Sequence, residues 1–471
     1  MVGVIAAVLR EHPRPDWVRR RPGSWWYAVA TVCFGAFMGQ LDASIVTLTY
    51  HPLQRQFGAS LAAVQWVSLV YLLALAALLV PIGRVSDAHG RKLLYLWGFA
   101  IFTAASAACC FAPSLQFLLA ARVVQAIGAA LLQANSVALV VTSAPQEKAR
   151  TALGVQAGAQ AIGLALGPTI GGLMVSTIGW RWVFGVNIPI GIVAVVAGYY
   201  LLPRTAERSA AHRLDWPSVG LLAASTSALL LALSVLSGLS WPWWTACLLL
   251  LLSAATGLLM AKRQTQVAHP LIDPVVLKTP GLLPGLAGAL GGYLVLFGPL
   301  VLVPVALTAR GTSALTAGLI LTSLPVGFAI AATGLDKLLP SAWANSFRAR
   351  VGSIICVLAL VGMLVIPLAT SFLVPLLGLL GLGLGLFLPA NNAMVMTSLP
   401  HRAAATGGGL INMARSLGTA LGVALVTLAW HVASPSGETA GFRAPTALLL
   451  LATAATAFST RERPGPVRVR S

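Results

Sequence analysis

One carboxylate and two guanidinium groups stand inside long apolar runs of this 471-residue chain: Asp42, Arg122 and Arg415. A charge in such surroundings is costly and marks a functional site by default. Asp42 has the chemistry of a proton carrier. Loss of water favours its protonated form and a nearby arginine favours its carboxylate. A site that alternates between the two takes up and releases a proton. Asp42 is the only acid well inside a run, and Arg122 is its expected partner in proton coupling. A purely structural ion pair is the competing reading. Gln125, Gln133 and Ser136 follow Arg122 on nearly one helical stripe, and Asn412 and Thr419 flank Arg415 on another. With Gln160 and Asn391, the residues Gln125, Gln133, Asn412 and Arg415 are candidates for lining a substrate cavity. Hydrogen bonding between helices is the plainer alternative for such stripes.

The elements that carry these residues must be membrane-spanning helices. The chain is 58% apolar and only 9% charged, with a mean hydropathy of +0.87, whereas a soluble domain carries about 25% charged residues. A helix needs roughly 20 apolar residues to cross the hydrocarbon. Fourteen such runs can be drawn, at 26–49, 61–82, 93–112, 115–141, 150–175, 182–202, 217–237, 243–261, 282–308, 315–335, 351–369, 372–398, 404–431 and 442–459. These are spans 1 to 14. With the N-terminus in the cytoplasm, 24 of the 30 Lys and Arg fall in cytoplasmic segments and four in outer ones, leaving Arg122 and Arg415 within spans. That split follows the positive-inside rule. It accounts for the net charge of +19 without nucleic acid as a partner. Asp42 lies roughly 24 Å along its helix from Trp26, at about 1.5 Å per residue, in the outer part of the bilayer.

An internal repeat adds a second line of argument. Gly163, Gly167 and Gly171 recur every four residues in span 5, with Pro168 and Gly172 among them. At an offset of 255, Gly154 maps to Gly409, Gln160 to Arg415, Gly163 to Gly418 and Gly167 to Gly422. Spans 4 and 5 thereby map onto spans 12 and 13. The plan is a tail at 1–25, a six-helix half at 26–202, a linker at 203–281 with two extra spans, a second half at 282–459 and a basic tail at 460–471. An even insertion keeps the halves parallel, the arrangement in which a transport site forms between two rocking halves. Small residues every fourth position let helix backbones approach closely, and Pro168 is expected to kink its helix.

Between spans 2 and 3 stands Gly83-Arg84-Val85-Ser86-Asp87-Ala88-His89-Gly90-Arg91-Lys92. Span 1 holds Leu41-Asp42-Ala43-Ser44-Ile45-Val46, span 4 holds Arg122, Gln125 and Gly128, and span 5 holds Gly163-x-x-x-Gly167-Pro168-x-x-Gly171-Gly172. Trp180-Arg181-Trp182 and Asn187-Ile188-Pro189 open span 6. In this order, over residues 26–430, the set resembles the major facilitator superfamily and its 14-helix drug:proton antiporters. The resemblance implies an all-α polytopic membrane protein of the major facilitator fold, 6+2+6 helices with two parallel six-helix repeats. It implies that Gly83, Asp87, Gly90, Arg91 and Lys92 form a conformational latch between the bundles, although Ala88 replaces a usual arginine. It assigns the Gly-Pro stretch of span 5, Gly163 to Gly172, to antiporters. Asp336 and Lys337 stand as a degenerate latch in the second half.

Several classes are excluded. No GxxxxGK[ST] loop is present, so ATP is not expected as the energy source. No HExxH, GxSxG or clustered His/Cys pattern points to an enzyme, a metal or another cofactor. The five cysteines fall in apolar runs with no metal spacing. The expectation is a monomeric, proton-coupled exporter of lipophilic small molecules in a bacterial inner membrane, with both termini cytoplasmic. Uptake symport of a metabolite, or dedicated export of a specialised metabolite or lipid, is the alternative that the same fold accommodates.

Overall fold

A computed structural model describes residues 13–21, 23–145, 148–205, 215–267, 270, 278–333, 344–366, 369–399, 404–434 and 438–457. The described elements are helices. Span 1 is Trp25–Ile45, continued by a tighter turn at Val46–Thr49 and by Tyr50–Phe57. Span 2 is Trp66–His89, span 3 Arg91–Cys110, span 4 Leu115–Ser143 and span 5 Ala149–Thr177. Span 6 is broken, as Arg181–Gly185 and Asn187–Leu201. Spans 7 to 10 are Trp216–Leu236, Trp243–Gln264, Leu282–Ala309 and Ala314–Thr333. Spans 11 to 14 are Asn345–Val365, Thr370–Ser398, Ala404–Ala433 and Glu438–Ala457. Among the described residues, thirteen helices are long and apolar enough to cross a membrane. The fourteenth has 20 residues but carries Glu438, Arg443 and Pro445 near its start, which makes that end polar.

The turn between spans 2 and 3 is tighter than the motif suggests. Helix continues through His89, and the chain reverses at Gly90, whose φ of 113° suits glycine. Arg91 and Lys92 open span 3 as expected. At the opposite end of the bundle, Gly58 at φ 61° closes the extension of span 1. These two glycines serve to name the two ends.

The repeat is visible as packing. A Cβ on Gly163 would lie 2.5 Å from the Phe37 carbonyl oxygen, and those on Gly167 and Gly171 would press on Ser44 and Ile45. Gly418 and Gly422 meet the Leu290 and Leu294 backbone in the same manner. The fifth helix of each half thus seats its glycines on the first helix of that half. Bare backbone at these positions lets the helices touch where a methyl group would collide.

The halves meet through spans 5 and 10 and through spans 2 and 13. Toward the Gly58 end, Gly172 abuts Ala314, the Pro168 carbonyl abuts Gly318, and Thr169 hydrogen-bonds Thr322. The glycine face of span 5 therefore serves its own half at Gly163, Gly167 and Gly171, while Pro168, Thr169 and Gly172 reach the other. Spans 7 and 8 pair with each other, and span 7 leans on spans 2 and 13. Gln65 and Trp66 both donate to the Ser234 hydroxyl of span 7. Asp215, just before span 7, accepts three hydrogen bonds from Arg263 at the end of span 8. Those bonds hold its carboxyl below the usual carboxylate range. Span 8 presents Leu248, Leu251, Leu258 and Leu259 outward, as a lipid-facing helix does.

Candidate functional site

Asp42 and Arg122 meet in the interior of the first half. The Arg122 Nη1 lies 2.6 Å from the Asp42 Oδ2, and both side chains are wholly buried. The surroundings satisfy most of what a buried pair requires. The other carboxylate oxygen accepts from Gln125 at 3.0 Å and from Asn187 at 3.4 Å. Gln125 also accepts from Arg122 at 2.6 Å and donates to Ser106 at 2.9 Å. Arg122 Nε donates to the Val67 carbonyl at 2.8 Å, and its guanidinium lies 4.1 Å from the Tyr71 ring and 5.7 Å from that of Phe184. Arg122 Nη2 has no hydrogen-bond partner among the described residues.

Local folding explains why these groups converge. Arg122 and Gln125 are one helical turn apart on span 4, and this face packs on spans 2 and 3. The break in span 6 at Val186 starts a new helix at Asn187 and turns its amide toward span 1. Five spans therefore contribute to one polar cluster. Gln125 is spent inside it, donating to Asp42 and accepting from Arg122.

A second cluster lies between the halves. Arg415 on span 13 donates to the Gln133 side-chain carbonyl on span 4, and its guanidinium is 6.0 Å from the Tyr293 ring. Gln133 and Gln160, with Gly39 and Gln40, line one small void, and Gln133, Arg415, Tyr71 and Ser416 line another. Gln133, Gln160 and Arg415 are thus brought together near mid-chain of the bundle. Asn391 is not among them: it is buried and donates to the Gly285 carbonyl of span 9 at 2.8 Å. Asn412 is half-buried on span 13.

At the Gly90 end, Lys92 is buried and its ammonium donates to the Tyr199 and Leu202 carbonyls at 2.9 and 2.8 Å. It thereby caps the end of span 6 in its own half. The Arg91 backbone N–H donates to Thr205 at 3.0 Å. The Asp87 side chain, and Asp336 and Lys337, lie outside the described residues. At the Gly58 end opens a cavity of about 410 Å³, lined by both halves and span 7, with Tyr50, His51, Gln54, Thr308, Trp430 and His431 on its walls.

Three participants carry little signal in sequence. Tyr71 and Ser416 enter only through tertiary contact. Asn187 belongs to the span 6 opening motif, but nothing in its spacing points to Asp42.

The family model described as the Major Facilitator Superfamily matches residues 32–423. The chain is 30% identical over 414 residues to a methylenomycin A resistance protein of Streptomyces coelicolor, covering 86% of each chain. It is 29% identical to the riboflavin transporter RibZ of Clostridioides difficile, over 85% of this chain and 87% of that one. It is also 29% identical to the tetracenomycin C resistance and export protein of Streptomyces glaucescens, over 88% of this chain and 78% of that one. Among solved structures, a bacterial homolog of the human lysosomal transporter Spinster, inward-facing and unoccupied, superposes with a TM-score of 0.65. It does so at 15% identity, over 95% of this chain and all of that one, a likeness of fold. With its fourteen-helix plan, its paired halves and its span 1 acid, the chain belongs to the major facilitator superfamily, in the branch of the drug:proton antiporters.

Proposed function

We propose that the protein is a proton-coupled exporter of lipophilic small molecules that works by alternating access in a bacterial inner membrane. In this reading the Gly90 end and both termini face the cytoplasm, the Gly58 end faces outward, and the molecule acts as a monomer without ATP. The observation that carries it is the Asp42–Arg122 pair. It is a single titratable carboxylate, closed from water, held by donors from spans 4 and 6. A proton on Asp42 removes the charge that Arg122, Gln125 and Asn187 are arranged around. The spans carrying those groups then favour a different arrangement, which is what coupling requires. Small residues at Gly172, Gly318 and Thr169, where spans 5 and 10 meet, support a surface on which the halves can rock.

The test is Asp42→Asn in proteoliposomes with an imposed proton gradient. We expect gradient-driven transport to be lost, while exchange of labelled for unlabelled substrate without a gradient persists. Undiminished gradient-driven transport would sink the assignment. Movement of substrate with the proton rather than against it would replace export by uptake symport.

A further inference from the structure

Arg415 poses a question that Asp42 does not answer. The chain has 11 acids, and Asp42 is the only one well inside an apolar run. Its carboxylate is taken up by Arg122, Gln125 and Asn187. Among the described residues no carboxylate pairs with Arg415. A guanidinium within a span ordinarily finds a carboxylate or a set of carbonyls. Among the described residues, this one has a single amide oxygen, from Gln133 in the opposite half, and the face of Tyr293.

The void beside it is rich in donors. Ser416 and Tyr71 both line it and are 2% and 1% exposed, and their hydroxyls have no hydrogen-bond partner among the described residues. Leu72, Leu75 and Phe297 supply its apolar wall. The void measures about 20 Å³, room for one water but not for an organic group. Gln133 fills the place where a larger acceptor would sit. One guanidinium and two side chains with unpartnered hydroxyls around one void, beside an apolar wall, suit an oxyanion attached to an apolar body.

We propose that Arg415, Ser416 and Tyr71 form the subsite for the anionic group, a carboxylate or its like, of an amphiphilic transported molecule. Gln133 holds that subsite in the empty protein. Binding displaces Gln133 and so breaks a hydrogen bond that ties the two halves together, which makes the anion itself a trigger for rearrangement. Tyr71 connects this subsite to the proton site, because its ring lies against Arg122 and the residue also lines the Arg415 void. The proposal rests on the transport reading above and names the charge of the substrate.

The probes are three aromatic scaffolds, naphthalene, anthracene and pyrene, each carried on a short chain ending in a carboxylate, a carboxamide or a primary amine. Binding to the purified protein in nanodiscs is read from tryptophan fluorescence. For at least one scaffold we expect the carboxylate to bind about tenfold or more tighter than the carboxamide, the range of a charge-assisted hydrogen bond. Arg415→Gln should bring that ratio to about one, and Arg415→Lys should keep part of it. Ser416→Ala and Tyr71→Phe, which remove one hydroxyl each, should lower it severalfold, because a charged acceptor loses more with each hydroxyl than the neutral carboxamide does. They keep the test open should Arg415→Gln fail to fold. No carboxylate binding, equal binding of carboxylate and carboxamide, preference for the amine, or a ratio untouched by all four substitutions overturns the proposal. The direction of carboxylate flux under a proton gradient is scored separately. Uptake with the proton refutes the export reading and leaves the subsite standing.

Discussion

The Asp42–Arg122 pair is both a site and a structural commitment. Removing one member of a buried ion pair leaves the other uncompensated, at a cost of about 3–5 kcal/mol. Asp42→Ala should accordingly lower the thermal stability of the purified protein by that order, because Arg122 keeps only the Val67 carbonyl, the Gln125 oxygen and the Tyr71 and Phe184 rings. Asp42→Asn retains the shape and a hydrogen-bonding oxygen and should lose less. The double substitution Asp42→Ala with Arg122→Met removes both charges and should recover part of the loss. Equal melting temperatures for Asp42→Ala and the parent would mean that the pair contributes nothing to folding. At this scale the sequence was informative where charge met apolar surroundings. Asp42, Arg122 and Arg415 stand out because acids and arginines are rare inside such runs. Tyr71, Ser416 and Asn187 do not, since a hydroxyl or an amide in a membrane helix is common and acquires its role only from what it packs against.

Among the helices, hydropathy located the spans closely because a bilayer imposes one length on every crossing element. The ends deviate where local chemistry overrides the apolar count. Span 1 continues to Phe57 as an amphipathic extension, and helix runs through the latch motif to Gly90. Glycine spacing announced close packing in spans 5 and 13, but not its partner. The periodicity is equally compatible with a sliding surface between the halves, whereas Gly163 and Gly418 in fact contact spans 1 and 9 of their own halves. The distinction is measurable. Gly163→Ala and Gly418→Ala each force a methyl group onto backbone, so overpacking should destabilise each by about 1–3 kcal/mol. Gly158→Ala, at a position with open space around its would-be Cβ, should be neutral or gain up to about 1 kcal/mol from helix propensity. Thermal unfolding in detergent reads all three, and a melting temperature for Gly163→Ala at or above that of Gly158→Ala contradicts the packing.

For the molecule as a whole, the charges within the spans set the electrical signature of transport. In the proposed cycle Asp42, the only acid well inside an apolar run, carries the proton, which sets the exchange at one proton per cycle. One proton inward against one anion outward moves two positive charges inward. Against a neutral molecule it moves one, and against a monovalent cation none. Each charge is worth about 2.3 kcal/mol per 100 mV, so an inside-negative potential of that size should favour the outward carboxylate gradient by about 4.6 kcal/mol, the carboxamide by half as much and the amine not at all. The charges also constrain how exchange is achieved. At one fixed conformation a proton on Asp42 unmasks Arg122, and the positive field reaching Tyr71 and the Arg415 void attracts an anion. By linkage the anion then also favours the proton. Proton and anion do not displace one another by repulsion. Export therefore requires that each stabilise a different orientation of the halves, the anion by releasing Gln133 from Arg415 and the proton by releasing Arg122 from Asp42. Proteoliposomes with a potassium gradient and valinomycin, at equal pH on both sides, separate these cases. The steady-state carboxylate gradient should respond to potential about twice as steeply, in energy, as that of the carboxamide. A carboxylate gradient indifferent to potential would contradict the charge count, and with it the assignment of one proton to Asp42 and one anion to Arg415.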